Sequence, residues 1–433
     1  MQRHAYNKLI EWKKKEKRKP LVIRGARQVG KTWLMKAFGK AEYEQVLYIN
    51  CERTPSLHEL FSQGVKVEDI LLGFQVITGI KPTPDKTLII IDEIQAVPQA
   101  LTSLKYFYED APEYHVMTAG SLLGVALHAE TSFPTGKVEF LNLYPLSFGE
   151  FLNALNQHPL NDLLKSSNWS MIKRFSEVLS THLRWYYLVG GMPEVVEEFA
   201  LNRDFKRVKQ IQSDILNAYE QDFSKHAPIR EVPRIRMVWN SIPSQLAKDN
   251  KKFIYGQLRS GARAKDYELA IQWLIDSGLA HRVTHVVKAN VPLKAYEEAA
   301  YFKLYMLDVG LLSALSNLNA QTVIEKHRLF TEFKGALTEQ FVMQELLHKN
   351  NNIHYWTSKA SAELDFLIEY QNQIIPIEVK AEENLQSKSL KVFRDKYNPD
   401  TCFRFSMSHY RNESWLINIP LYAVGEFLSQ SIK

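Results

Sequence analysis

The stretch Leu21-Val22-Ile23-Arg24-Gly25-Ala26-Arg27-Gln28-Val29-Gly30-Lys31-Thr32 decides how this chain is read. An apolar run, a turn with two glycines and a Lys-Thr pair follow one another in G-x-x-x-x-G-K-T spacing. The run reads as a strand and the residues from Lys31 onward as a helix. Glycines at positions 25 and 30 let the backbone bend so that successive N–H groups point inward at phosphates. A lysine placed like Lys31 reaches the β- and γ-phosphates, and a hydroxyl placed like that of Thr32 ligates Mg²⁺. The helix adds its dipole to the same anion site. The expected nucleotide cradle is therefore Gly25, Ala26, Arg27, Gln28, Val29, Gly30, Lys31, Thr32 and Trp33, with ATP and Mg²⁺ as the implied ligands.

Downstream, residues 46–49 read as a second strand, and residues 55–78 as helical. Leu88-Ile89-Ile90-Ile91-Asp92-Glu93 then gives four apolar residues closed by two carboxylates. A continuous apolar run suits a strand buried on both faces of a parallel sheet, and the C-terminal tip of such a strand is where sites collect. Asp92 is expected to support Mg²⁺ and Glu93 to polarise the attacking water. Only one clear strand separates the two motifs, so the strand carrying Asp92 is third in sequence and another is inserted beside the first. The next strand, His115-Val116-Met117-Thr118, runs into Ala119-Gly120-Ser121. Ser121, with Thr118 in reserve, is expected to sense the γ-phosphate or position water, against ordinary capping of a strand end.

A chain of 433 residues has room for two to four domains, and its net charge of +6 permits a polyanionic partner without establishing one. Cys51 and Cys402 are too far apart in sequence to suggest a metal knuckle or a disulfide framework, which fits a reducing cytoplasm. The N-terminus has no apolar signal core, and no apolar run approaches the length of a membrane span, so neither secretion nor a membrane partner is expected. The run Lys13-Lys14-Lys15-Glu16-Lys17-Arg18-Lys19 reads either as a solvated helix end or as a nucleic-acid contact.

Residues 196–230 read as a polar helical connector. Ile235, Val238 and Trp239 then share a helical face, a short helix falls near Tyr255, and Tyr267, Ala270, Ile271 and Leu274 mark another helix that Gly278 ends. Strands follow at 279–286 and 301–306. Three helices and a ribbon resemble a winged helix, with Arg259, Arg263 and Lys265 opening the element that would face DNA. Such modules also bind proteins or serve as lids. His281 and His285 have H-x-x-x-H spacing, but on a strand they stand roughly 13 Å apart and cannot chelate one ion.

Residues 335–347 read as a helix, and strands follow at 353–356, 362–368 and 374–380. Glu378 and Lys380, two apart on a strand, share one sheet face. Asp365 falls one strand earlier, and the helix can bring in Glu339. Acid, acid and Glu-x-Lys in this order resemble the PD-(D/E)XK nuclease superfamily. That resemblance implies Glu339, Asp365 and Glu378 as Mg²⁺ ligands and Lys380 as the group that orients the nucleophile or neutralises the transition state.

Several motifs together, Arg24 to Thr32, Asp92-Glu93-Ile94-Gln95, Ala119-Gly120-Ser121, Leu143-Tyr144-Pro145-Leu146-Ser147-Phe148-Gly149-Glu150-Phe151 and Gly190-Gly191-Met192-Pro193, resemble a prokaryotic AAA+-type ATP-binding family. Its members carry a C-terminal domain of uncharacterised function that is similar to these nucleases. Where that family has Gly-Arg-Val this chain has Gly136-Lys137-Val138, and a lysine loses bidentate donation. The resemblance implies an α/β protein with an AAA+-like P-loop parallel-sheet domain at 1–195, a helical connector and winged-helix-like region at 196–330, and a restriction-endonuclease-like domain at 331–433. It implies an Mg²⁺-dependent ATPase acting on DNA, with homo-oligomers as in AAA+ relatives. The alternative is a nucleotide-dependent switch or protein-interaction module whose nuclease-like domain is catalytically inactive.

Overall fold

The computed structural model describes residues 3–62, 66–120, 134–324, 331–349, 352–358, 362–383 and 386–431. Contacts divide the chain into two units, one of Gln2–Tyr144 with Asp276–Leu279, the other of Pro145–Ile275 with Ala280–Lys433. The first division falls after Tyr144, whereas the sequence reading drew its boundary at 195.

The first unit is built on five parallel strands: β1 (Leu21–Arg24), β2 (Gln45–Asn50), β3 (Thr87–Asp92), β4 (His115–Ala119) and β5 (Glu139–Asn142). Their spatial order is β2-β3-β4-β1-β5, and every neighbouring pair is parallel. The strand inserted beside β1 is β4, which separates it from β3. All six residues of β3 are buried, as a strand covered on both faces requires. Its apolar side chains contribute about 1.5–3 kcal/mol each relative to exposure. Helices Lys31–Glu42, Val67–Thr78 and Pro98–Asp110 supply the crossovers. The edge strand β5 lacked a sequence reading of its own because Glu-Phe-Leu-Asn is only half apolar.

The N-terminal helix runs Ala5–Lys13 and closes at Lys13. In the basic run that starts there, Lys13 pairs with Glu42 at 3.3 Å, Lys15 with Glu139 at 2.5 Å and Arg18 with Asp85 at 3.8 Å. Lys137 pairs with Glu109 at 2.9 Å, away from any arginine-like role.

The second unit combines helices, among them Ser176–Val189, Phe205–His226 and Val232–Leu246, with an eight-stranded sheet. Its strands are β6 (Ala280–Val286), β7 (Glu297–Met306), β8 (Ile353–Thr357), β9 (Glu363–Tyr370), β10 (Gln373–Val379), β11 (Cys402–Ser406), β12 (Arg411–Glu413) and β13 (Leu416–Pro420). They run in the order β12-β13-β11-β10-β9-β8-β6-β7. The expected ribbon forms as β6 and β7, but it is not a free wing. β6 pairs in parallel with β8, so the hairpin continues the C-terminal sheet across the boundary drawn at 330. Backbone hydrogen bonding explains the merger, because β6 presents one edge to β7 and would otherwise leave the other unpaired.

The Gly190-Gly191-Met192-Pro193 turn belongs to this second unit. A Cβ at Gly190 would overlap Asp308 Oδ1, and one at Gly191 would overlap the Leu146 carbonyl. Asp308 accepts from Gly191 N at 2.6 Å and from Leu311 N at 3.0 Å. The glycines thus admit a buried carboxyl group to the backbone. Burial pushes Asp308 up to about 6 against those hydrogen bonds.

Candidate functional site

The turn after β1 bends through Gly25 (φ 150°), Gln28 (φ 66°) and Gly30 (φ 92°) into the helix that begins at Lys31. A Cβ on Gly25 would overlap the Leu143 carbonyl, so this glycine is required by space as well as by conformation. Lys31 is buried and donates from Nζ to the carbonyls of Gly25 at 2.8 Å and Ala26 at 2.7 Å. Its ammonium pKa falls to about 8, because burial outweighs the attraction of Glu93 and Asp92.

Thr32 Oγ1 donates to Asp92 Oδ2 at 2.7 Å, and Tyr48 donates its hydroxyl to the same oxygen at 2.9 Å. Asp92 Oδ1 accepts from the Glu93 backbone at 3.1 Å. Glu93 has a left-handed backbone at φ 50°, ψ 44°, where its carboxylate accepts from Gln95 Nε2 at 2.7 Å. The structure therefore gathers Lys31, Thr32, Asp92 and Glu93 at the mouth of one loop. Trp33 is half exposed. Thr118 is fully buried at the tip of β4, and its hydroxyl has no hydrogen-bond partner among the described residues. Ser121 lies outside the described residues.

Two contributors were not foreseen. Arg3 donates to the Val29 carbonyl at 3.1 Å and to that of Tyr144, bracing the loop from the N-terminal segment. Tyr48 marks a position where a polar residue interrupts an apolar strand, which is the signal that points to it.

In the second unit the helix Thr331–Leu347 and the strand β9 bring Glu339 and Asp365 together, and the two carboxyl groups share a hydrogen bond. Burial, then the Glu339 charge, pushes Asp365 up to about 8, so it carries the shared proton. The Val379 backbone donates to Asp365 Oδ2 at 2.7 Å. Glu378 and Lys380, expected on one sheet face, form an ion pair at 3.1 Å. Glu378 faces Arg404 in the register of β10 and β11, and its Oε2 is buried with no hydrogen-bond partner among the described residues.

Two lysines occupy the acid cluster. Lys251 reaches Glu339 at 2.5 Å, while Lys303, fully buried, lies 2.5 Å from Glu363, 3.7 Å from Glu339 and 3.9 Å from Asp365. Burial alone would lower Lys303, but Tyr305, Glu363, Glu339 and Asp365 around it raise it well above the ordinary value. Among the described residues no group of three or more His, Cys, Asp or Glu side chains is disposed to hold a metal ion. The expected Mg²⁺ set of Glu339, Asp365 and Glu378 thus has lysines placed against its acid pair. Lys251 and Lys303 supply positive charge beside Glu339. Lys303 carries a sequence signal, a single charge inside the apolar run Tyr301 to Met306, whereas Lys251 carries none.

A cleft of about 680 Å³ opens beside the β9–β10 hairpin, where Tyr370, Asn372 and Tyr397 are among its lining residues. It contains no residue of either cluster.

Comparison with known proteins agrees with the first unit's geometry. Residues 17–152 match the model of an AAA domain. That segment is similar to AAA-type P-loop ATPase domains. Residues 180–322 match a domain of unknown function, DUF8612, and residues 334–422 another, DUF4143. The uncharacterized protein MJ1637 of Methanocaldococcus jannaschii is 24% identical over 205 residues, 44% of this chain and 41% of that protein. The chain thus spans less than half the length of this relative. Among solved structures, the Walker-type ATPase PABY2304 of Pyrococcus abyssi aligns over 73% of this chain and 95% of its own, at 15% identity and a TM-score of 0.44. AMPPCP-bound DnaA of Aquifex aeolicus aligns over 63% and 88%, at 14% identity and a TM-score of 0.27. Among the described residues no helix is long and apolar enough to cross a membrane.

Proposed function

We propose that this chain hydrolyses ATP with Mg²⁺ at the loop 25–33 and that the nucleotide cycle governs how its second unit engages DNA. The observation that carries the reading is the convergence of a buried Lys31 with the Thr32–Asp92 hydrogen bond and Glu93. Lys31 neutralises phosphate charge, and in doing so leaves the carbonyls of Gly25 and Ala26. Thr32 and Asp92 offer an all-oxygen donor set suited to a hard cation, which supplies further neutralisation of the phosphates when bound. Glu93 takes the proton of the attacking water. Ser121, outside the described residues, remains the proposed sensor, with Thr118 of β4 in reserve.

DNA is the proposed polyanion because Arg259, Arg263 and Lys265 are all exposed at the opening of the helix Ala264–Asp276. The lysine-filled acid pair favours the second reading for the C-terminal domain, a nuclease-like module that does not cut. The test is to measure ATP hydrolysis and plasmid nicking with and without DNA, for wild type and Asp365→Ala. DNA should stimulate hydrolysis, and neither protein should nick. Nicking by wild type that Asp365→Ala abolishes would restore a cutting role. Absence of DNA binding across a wide salt range would remove DNA as the partner.

A further inference from the structure

Two segments distant in sequence pack against the phosphate loop. The Leu143 carbonyl lies against Gly25, and the turn Asp276–Leu279, far downstream in sequence, packs as part of the nucleotide unit. Within that turn Gly278 has φ +74°, and a Cβ there would sit 3.2 Å from Ala26 N and 3.7 Å from both Ala26 Cα and the Gly25 carbonyl carbon. Ser277 and Leu279 on either side are buried. Gly25 and Ala26 are the residues whose carbonyls accept from Lys31 Nζ, at 2.8 and 2.7 Å.

We propose that Gly278 is a positioning residue for the nucleotide. Its bare backbone lets the turn close on the Gly25–Ala26 segment and hold it in the curvature that aims its N–H groups at phosphate. A separate part of the chain, well outside the matched AAA segment, thereby completes the ATP site. The inference rests on the nucleotide reading of the loop. A side chain at 278 pushes Ala26 outward by a few tenths of an ångström, which spoils phosphate contacts without touching Glu93.

Gly79 supplies the control, since it has φ +71° and nothing within 4 Å of a Cβ, so substitution there strains the backbone alone. Gly278→Asn complements Gly278→Ala, because asparagine tolerates the left-handed conformation while still placing a Cβ against Ala26. Fluorescent ADP is titrated into the full-length wild type, Gly278→Ala, Gly278→Asn and Gly79→Ala, and ATP hydrolysis is measured alongside. Both Gly278 variants should bind ADP about tenfold more weakly and show a raised KM, with kcat within about threefold, whereas Gly79→Ala should keep its ADP affinity. ADP binding by Gly278→Asn equal to wild type would overturn the proposal. Wild type that binds ADP without hydrolysing ATP would remove the hydrolysis reading and leave the Gly278 comparison intact.

Discussion

Thr32 donates its hydroxyl to Asp92 Oδ2 across 2.7 Å, joining the first turn of the phosphate-loop helix to the tip of β3. The contact spans two strands of the sheet, because β4 separates β1 from β3 in the order β2-β3-β4-β1-β5. Two motifs far apart in sequence thus become one oxygen pair beside a buried ammonium. The chemistry of the first unit follows from that adjacency.

On the proposed nucleotide reading, Lys31 makes binding sensitive to pH. Its ammonium is lowered to about 8, first by burial, with Glu93 and Asp92 opposing. A depressed base costs the empty fold stability while it is protonated, and that cost is relieved as pH rises from about 8 towards the ordinary lysine value. Only the charged form attracts phosphate, so ADP affinity should fall above about pH 8, by up to about tenfold per pH unit. Titration of ADP between pH 7 and 9.5 checks this. Lys31→Arg, charged throughout, should weaken binding but flatten the profile, and an equal decline in that variant would implicate another group.

The acid pair sets a second pH dependence. Asp365 rises from 3.8 to about 8 through burial and the Glu339 charge. A raised acid contributes stability in full below its unfolded value and loses it as pH climbs to the folded one. The melting temperature of Asp365→Asn should therefore decline less between pH 5 and 8 than that of wild type. Glu339→Gln removes the carboxylate facing Lys251 and Lys303 and should cost about 3–5 kcal/mol in urea unfolding at pH 7. Equal slopes for Asp365→Asn and wild type would place the proton elsewhere.

Gly190 carries the third prediction. Its φ 72°, ψ −162° backbone is glycine's territory, and any Cβ meets the buried Asp308 carboxyl group. Gly190→Ala should destabilise the chain by about 3 kcal/mol, read from the urea midpoint at constant m. A loss under about 1 kcal/mol would mean that Asp308 moves aside without cost.

The nucleotide unit was legible because its signals are local. The glycine spacing, the Lys-Thr pair and the apolar run ending in Asp92-Glu93 each specify their own geometry, and the inserted strand followed from counting strands. The C-terminal helix and strands, and the placing of Glu378 and Lys380 on one sheet face, could also be read from periodicity and order. What escaped the reading depends on tertiary contact. Lys251 and Lys303 arrive from other segments, the ribbon joins a sheet whose strands follow it in sequence, and the Gly190-Gly191 turn acquires its reason only from Asp308. Arg3 and Gly278 touch the phosphate loop from opposite sides of the sequence, with no motif to announce them.

The central claim is that this loop binds ATP and that Glu93 drives its hydrolysis. The most direct measurement is ATP affinity and single-turnover hydrolysis for wild type and Glu93→Gln in the presence of Mg²⁺. The account predicts that Glu93→Gln binds ATP within about twofold of wild type and turns over about 10²–10⁴-fold more slowly. Turnover in Glu93→Gln equal to wild type, or a wild type that binds no ATP, would contradict it.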